Sequence, residues 1–498
     1  MGKFDNLTLA KGPAFPLLLS TLYFFKIPIQ IFYALIAILT GIFLYITCVP
    51  YTRNPLNRGL VAALVVFYPS LDFVRPLRDT YFYWMSMLGI LILLLNLNNL
   101  QKGIVNKGKM LINGLIFGIL IICREEWITL IFPVIVFVLF FLLNKSVCSV
   151  KNELKVLFVK IFALGLFLPS FLVSTINLHK YGSFITSDFK EKSFTRFLDN
   201  LQTIKTNGHT NNVLISEEAR ILAYQNSARF SLLKQYLDDK DAPLKGWQTF
   251  STQAYPETKG DYGGNWLYWA MRDAVQLAGF YNSSFSAKKY YDSVSNELEE
   301  AFKTRKIIRS EKVIPIFPKI TISQIQKLPF FFKISLQRIV CLEPPSVEVP
   351  ESSGSDDQIA EWSRLLNHNN IVIKNKQSVF FCDKNKWLSS IGLYYQIKNL
   401  MQIFYRAFLA PLVLFGFLSF LWISFKEKKF SDYYFILLLW TIPLVRLILI
   451  CFLSANGWAA PLHHYLSYVG PLFILSSCLS LLILKKKYDG SLFGYERK

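Results

Sequence analysis

A chain of 498 residues, 53% of them hydrophobic, with 44 Phe and a mean hydropathy of +0.34, carries more apolar surface than one water-soluble core can bury. Its formal charge of +21 does not point to nucleic acid, because the basic residues stand in short clusters between long apolar runs rather than on one soluble face. The seven cysteines, at 48, 123, 148, 341, 382, 451 and 478, show no CxxC or His-rich spacing, which argues against a structural zinc or redox centre.

In chain order, Met1 to Lys11 lacks the apolar core of a cleavable signal peptide. Apolar runs long enough to cross a bilayer follow at 27–48, 80–97, 127–144, 161–178, 407–425, 432–453 and 465–484. Two shorter runs, 59–71 and 110–123, become spans of ordinary length if the stems of Arg58, Lys107 and Lys109 snorkel. The pattern predicts an all-α polytopic membrane protein with about nine transmembrane helices.

Loop charge sets the expected orientation. Arg53 and Arg58, Lys102 to Lys109, Lys145 to Lys155, Lys426 to Lys429 and Lys485 to Lys487 fall on one side, which is then cytoplasmic. The opposite loops carry Asp72, Arg75, Arg78 and Asp79, then Arg124, Glu125 and Glu126, then the uncharged 454–460. This register places Met1 to Lys11 outside with no helix before it. Either an upstream span is absent from this chain or the short segment translocates by itself.

From Lys180 to Lys398 the composition turns polar and aromatic, with helical periodicity at 194–201, 217–236, 266–281 and 287–302. The expected organisation is an N-terminal membrane domain over 1–178 with about six spans, a mostly helical extracytoplasmic domain over 179–400, and a C-terminal membrane domain over 401–498 with about three spans. Within the outer domain, 344–357 reads as an exposed loop, 371–382 as a short strand or hairpin, and Cys341 with Cys382 as a disulfide or two free thiols.

Ionisable groups gather at the outer ends of the spans. Arg75, Arg78 and Arg124 suit a fork-like clamp on phosphate oxygens, since planar guanidinium donors bind bidentately. Asp5, Asp79, Glu125 and Glu126 supply carboxylates for a general base. Lys11, His463 and His464 lie at the same depth, and Arg446 sits inside an apolar helix where it needs a carboxylate, a phosphate or a cavity. Trp266 and Arg272 suit a sugar ring and its hydroxyls, while packing of Trp266 and Trp269 is the plainer reading. Solvated interfacial charge is the plainer reading of any one of the ionisable residues.

The stretch Leu7-Thr-Leu-Ala-Lys-Gly-Pro-Ala-Phe-Pro-Leu-Leu-Leu and the closing His464-Tyr-Leu-Ser-Tyr-Val-Gly-Pro-Leu-Phe-Ile-Leu resemble parts of fold-C glycosyltransferases. These multi-spanning enzymes use polyprenyl-phosphate sugars, as protein mannosyltransferases and the lipid A aminoarabinose transferase do. The Arg124-Glu125-Glu126 turn resembles a bacterial subgroup. The resemblance implies a transferase of the cell envelope in a bacterial inner membrane, moving a hexosyl or pentosyl group from the lipid donor to a glycan, lipid or protein acceptor at the outer face. It also implies an acidic catalytic residue in a first outer loop after a first helix. This chain starts beyond such a helix, leaving Asp5 as the carboxylate of that region.

The implied chemistry is direct displacement at the sugar, with a carboxylate taking the acceptor proton and arginines or Lys11 neutralising the departing phosphate. No ligand set demands a divalent metal and no other cofactor is expected. The alternatives are a transporter or flippase of a lipid-linked or anionic substrate, against which stands the lack of an inverted repeat, and a catalytically silent assembly protein.

Overall fold

The computed structural model describes residues 4–69, 77–144, 150–206, 213–254, 256–264, 266–310, 322–342, 355–357, 360–361, 364, 391–426, 431–455, 465–466 and 468–492. The chain is an all-α polytopic membrane protein. Among the described residues no strand forms, and backbone pairing is limited to an isolated bridge between Ile204 and Arg309. The strand or hairpin expected at 371–382, residues 344–354 of the loop expected at 344–357, and Cys382 lie outside the described residues.

Six helices precede the polar region as α2 (Ile29–Thr47), α3 (Pro55–Val66), α4 (Arg78–Gln101), α5 (Lys107–Ile121), α6 (Ile128–Leu143) and α7 (Asn152–Tyr181), and a shorter α1 (Ala14–Phe24) comes before them. After the polar region follow α16 (Ile391–Lys426), α17 (Ser431–Ala455) and α18 (Val469–Leu492). Seven of these are long and apolar enough to cross a membrane: α2, α4, α6 with the 3-10 turn before it, α7, α16, α17 and α18. They fall on the seven long apolar runs of the sequence. The reason is visible in α2, where Ile31, Leu35, Ile38 and Ile42 are exposed at i, i+4, i+7 and i+11 while Ile29, Tyr33, Ile36 and Leu44 are buried. Both faces are apolar, so the outer face has lipid as its solvent. In contrast, α4 is buried almost all round.

The chain divides into two compact units: residues Ala14–Pro169, Lys333–Leu449 and Leu462–Lys498 make up one, and Met1–Pro13, Ser170–Phe332 and Ile450–Pro461 the other. These units cut the chain differently from the apolar runs, because the N-terminal segment goes with the polar region.

In the membrane unit, close approach is made by small residues. A Cβ on Gly118 of α5 would stand 2.6 Å from the Leu166 carbonyl of α7, and one on Gly165 of α7 would stand 2.6 Å from the Leu111 carbonyl. Backbone therefore packs on backbone along this seam. Pro443 in α17 cannot donate to the Leu439 carbonyl four residues back. Ser476 of α18 does so instead, its hydroxyl donating to Leu439 O at 2.9 Å, which keeps a helix end-to-end satisfied where water cannot reach.

The polar unit is built from α8 (Lys192–Gln202), α9 (Glu217–Asn226), the short turns α10 (Ala228–Ser231) and α11 (Lys234–Leu237), α12 (Gly246–Ala254), α13 (Trp266–Leu277) and α14 (Ser284–Lys303). Side chains start four of them: Glu191 accepts from the Ser193 and Phe194 amides, Ser216 from Ala219, Ser227 from Phe230 and Ser283 from Ser286. The core joins Phe194, Phe197 and Leu201 of α8 to Leu267, Met271 and Val275 of α13 and to Tyr291, Val294 and Leu298 of α14. A last helix, α15 (Ile322–Val340), follows in the chain.

A buried charge cluster as the candidate functional site

Arg124 leaves the end of α5 with an extended backbone, φ −136° and ψ 151°, before the 3-10 turn Glu125–Trp127 that opens α6. That single extended residue turns its side chain into the bundle, where it is 4% exposed. Its Nη1 pairs with Asp79, which stands in the first turn of α4, where a carboxylate also meets the positive end of the helix dipole. Its Nε and Nη2 donate to the two carboxylate oxygens of Glu126 at 3.0 and 3.2 Å. The guanidinium also lies 5.3 Å from the Tyr465 ring centre and 5.8 Å from that of Phe82. Two carboxylates on one buried arginine are a strong, mutually dependent set, since removing the cation strands both anions.

Two further cations border the set. Arg78 Nη1 is 3.4 Å from Glu125, and this pair remains partly open, at 23% and 27% side-chain exposure. Arg446, in the middle of α17, is 2% exposed. Its Nε donates to Tyr465 O at 3.2 Å and its guanidinium sits 5.6 Å from the Tyr468 ring centre. Tyr468 in turn shares a hydrogen bond of 3.1 Å with Thr129, whose hydroxyl donates to Glu126 O at 2.9 Å. The arrangement thus brings together Arg78, Asp79, Arg124, Glu125, Glu126 and Arg446 of the predicted set. Sequence reasoning missed Tyr465, Tyr468, Thr129 and Phe82. The signal present was two tyrosines spaced i, i+3 beside His464, which side-chain type alone does not separate from an interfacial aromatic belt.

Asp5, Lys11, Trp266 and Arg272 belong to the polar unit. Asp5 closes its own turn, its Oδ1 accepting from the Leu7 and Thr8 amides and the Thr8 hydroxyl at 3.1, 2.8 and 2.7 Å. Lys11 Nζ lies 4.7 and 5.5 Å from the ring centres of Phe189 and Trp269. Trp266 packs in a half-exposed group with Trp247 and Phe250, at centroid distances of 5.5 and 6.3 Å. Arg272 is fully buried and clamps the N-terminal segment: Nε donates to Asn6 O at 2.8 Å, and Nη2 to Thr8 O at 3.4 Å and to Asp188 at 3.1 Å. Burial pushes the Asp188 carboxyl above its ordinary range, with Arg272 opposing. Arg75, His463 and His464 lie outside the described residues. Among the described residues no group of three or more His, Cys, Asp or Glu is placed to hold a metal ion.

No protein-family model, no curated protein and no solved structure matches this chain.

Proposed function

We propose that this chain is a membrane glycosyltransferase that moves a sugar from a polyprenyl-phosphate donor to an acceptor at the outer face of a bacterial inner membrane. The observation that supports it best is the burial of two guanidiniums, Arg124 and Arg446, among aromatic rings beside three carboxylates at the ends of apolar helices. Charge placed there is costly and is retained where it meets an anionic substrate. Arg446 and Arg78 supply the phosphate-binding cations, since Arg124 is committed to Asp79 and Glu126. Glu125, whose pair with Arg78 stays partly open, is a better general base than Glu126, which Arg124 holds through both carboxylate oxygens. The acceptor oxygen attacks the anomeric carbon, the bond from that carbon to the phosphate oxygen breaks with its electron pair staying on the lipid phosphate, and the acceptor proton passes to Glu125.

The test uses purified full chain in proteoliposomes with a panel of radiolabelled polyprenyl-phosphate hexoses and pentoses. Arg446→Ala should weaken donor binding at least tenfold, about 1.4 kcal/mol. Glu125→Gln should leave binding intact and lower transfer by about 100-fold or more. Binding without transfer by the wild type, with donor carried across the bilayer, would replace this reading with a flippase. No binding of any panel member defeats both.

A further inference from the structure

The start of α1 and the start of α2 meet the same side chain. Phe15, the second residue of α1, has its ring centre 6.0 Å from that of Tyr81, and Phe32, in the first turn of α2, has its own 6.1 Å from Tyr81. Tyr81 belongs to the first turn of α4, and the Ala14 amide that opens α1 donates to the Ile122 carbonyl just past the end of α5. Both ends of the α1 excursion therefore lie at one end of the membrane bundle. Its 11 residues extend about 16 Å, half a hydrocarbon core.

The helices that follow do traverse. The α3 segment leaves the C-terminal end of α2, its Val66 lies beside Gly41, and Leu77 O accepts from Tyr33 at 3.0 Å, so by Leu77 the chain is back at the end where α2 began. α5 runs antiparallel to α4, with Asn96 Nδ2 donating to Lys109 O at 3.3 Å and Asn113 Nδ2 to Gly89 O at 2.8 Å. With α3 and α5 crossing, α2 to α7 make an even number of passages. The independent check is that Asn6 and Arg272, before and after those passages, are hydrogen-bonded within one compact unit.

We propose that α1 and the corner after it are an in-plane anchor seated in the membrane interface, with lipid as its partner. Phe15 and Leu22 of α1 face inward, whereas Leu17, Tyr23, Phe24, Phe25 and Ile27 are exposed, Phe24 at 78%. A left-handed Lys26, φ 55°, makes the corner, its amide donating to Tyr23 O and that of Ile27 to Leu22 O. Lys26 is exposed beside two phenylalanines, the composition of a side chain reaching headgroups from an apolar base. The apolar surface continues from Ile27 into Ile31 and Leu35 of the lipid-facing side of α2. This anchor does not depend on the proposed enzymatic activity.

Single cysteines at Leu7, Lys26, Arg53 and Phe285 in the full chain, read against wild-type background labelling with a membrane-impermeant maleimide, test the path. Leu7→Cys, Lys26→Cys and Phe285→Cys should label from one side and Arg53→Cys from the other; Lys26→Cys labelling only with Arg53→Cys makes α1 a span and overturns the proposal. A nitroxide on Phe24→Cys, or on Phe25→Cys if the first does not fold, should show high oxygen and low nickel-chelate collision rates at interfacial depth. Protection from both reagents would mean that a second copy or another segment of the chain covers the helix, and full nickel access that water does; either result removes lipid as the partner.

Discussion

Arg220 illustrates at one residue how the polar unit holds itself together. It is fully buried, donates to both oxygens of Asp238 at 2.8 and 2.7 Å, to Asp261 at 2.8 Å and to the Ile215 carbonyl at 3.0 Å, and lies over Tyr262. Tyr224 donates to Asp238 at 2.6 Å, and burial followed by the Asp238 charge holds its hydroxyl well above the usual tyrosine range. Arg220→Met should cost about 3–5 kcal/mol, because two carboxylates lose their partner, whereas Tyr224→Phe should cost about 1–2 kcal/mol. Thermal unfolding of the full chain in detergent, followed by protease sensitivity of the polar region, orders the two; equal effects would mean that the arginine is not the centre of the network. Charges beside apolar runs were the legible part of the membrane cluster, since Arg446 stands inside an apolar helix and Arg124 in a short charged turn between two apolar runs. The roles of Asp5 and Arg272 were not legible as structural. An aspartate followed three positions later by a threonine closes a turn, and a buried arginine binding main-chain oxygens looks in sequence like any arginine on an aromatic helix.

Among the helices, length and apolarity made the seven long spans readable, because lipid imposes both. α1 and α3 were harder, since 11 and 12 residues fit a surface helix, a re-entrant turn or part of a span equally well. The seam between α5 and α7 makes a testable difference at this scale. Gly118→Leu has no room against the Leu166 carbonyl, so the helices must separate and the yield of folded protein in the membrane should fall severalfold, while Ile112→Leu on the exposed side of α5 should leave it unchanged. Folded yield is read as the monodisperse fraction after detergent extraction. Equal yields would show that the seam tolerates a gap.

Across the whole molecule, the alternating loop charges predict cytoplasmic reporter activity for fusions at Lys107 and Lys151 and outer-compartment activity for a fusion at Asn296. A cytoplasmic Asn296 would place the charge cluster beyond reach of an outer-face acceptor. The discontinuous make-up of the two units was not readable, because a contact between Asn6 and Arg272 leaves no periodicity or local composition to find.

That clamp also sets a timetable. Asn6 and the Arg272 that holds it are 266 positions apart, which at synthesis rates of about 5–20 residues per second is roughly 13 to 53 s of translation. Throughout that interval the Phe4–Thr8 segment has no Arg272, Asp273 or Gln276 to dock on and the core of the polar unit lacks α13. The polar unit therefore closes late, after the spans between have been threaded, and an arrested chain ending before Trp266 should be cut by protease at Phe4–Thr8 faster than the finished protein, in which Arg272 holds the main-chain oxygens of that segment.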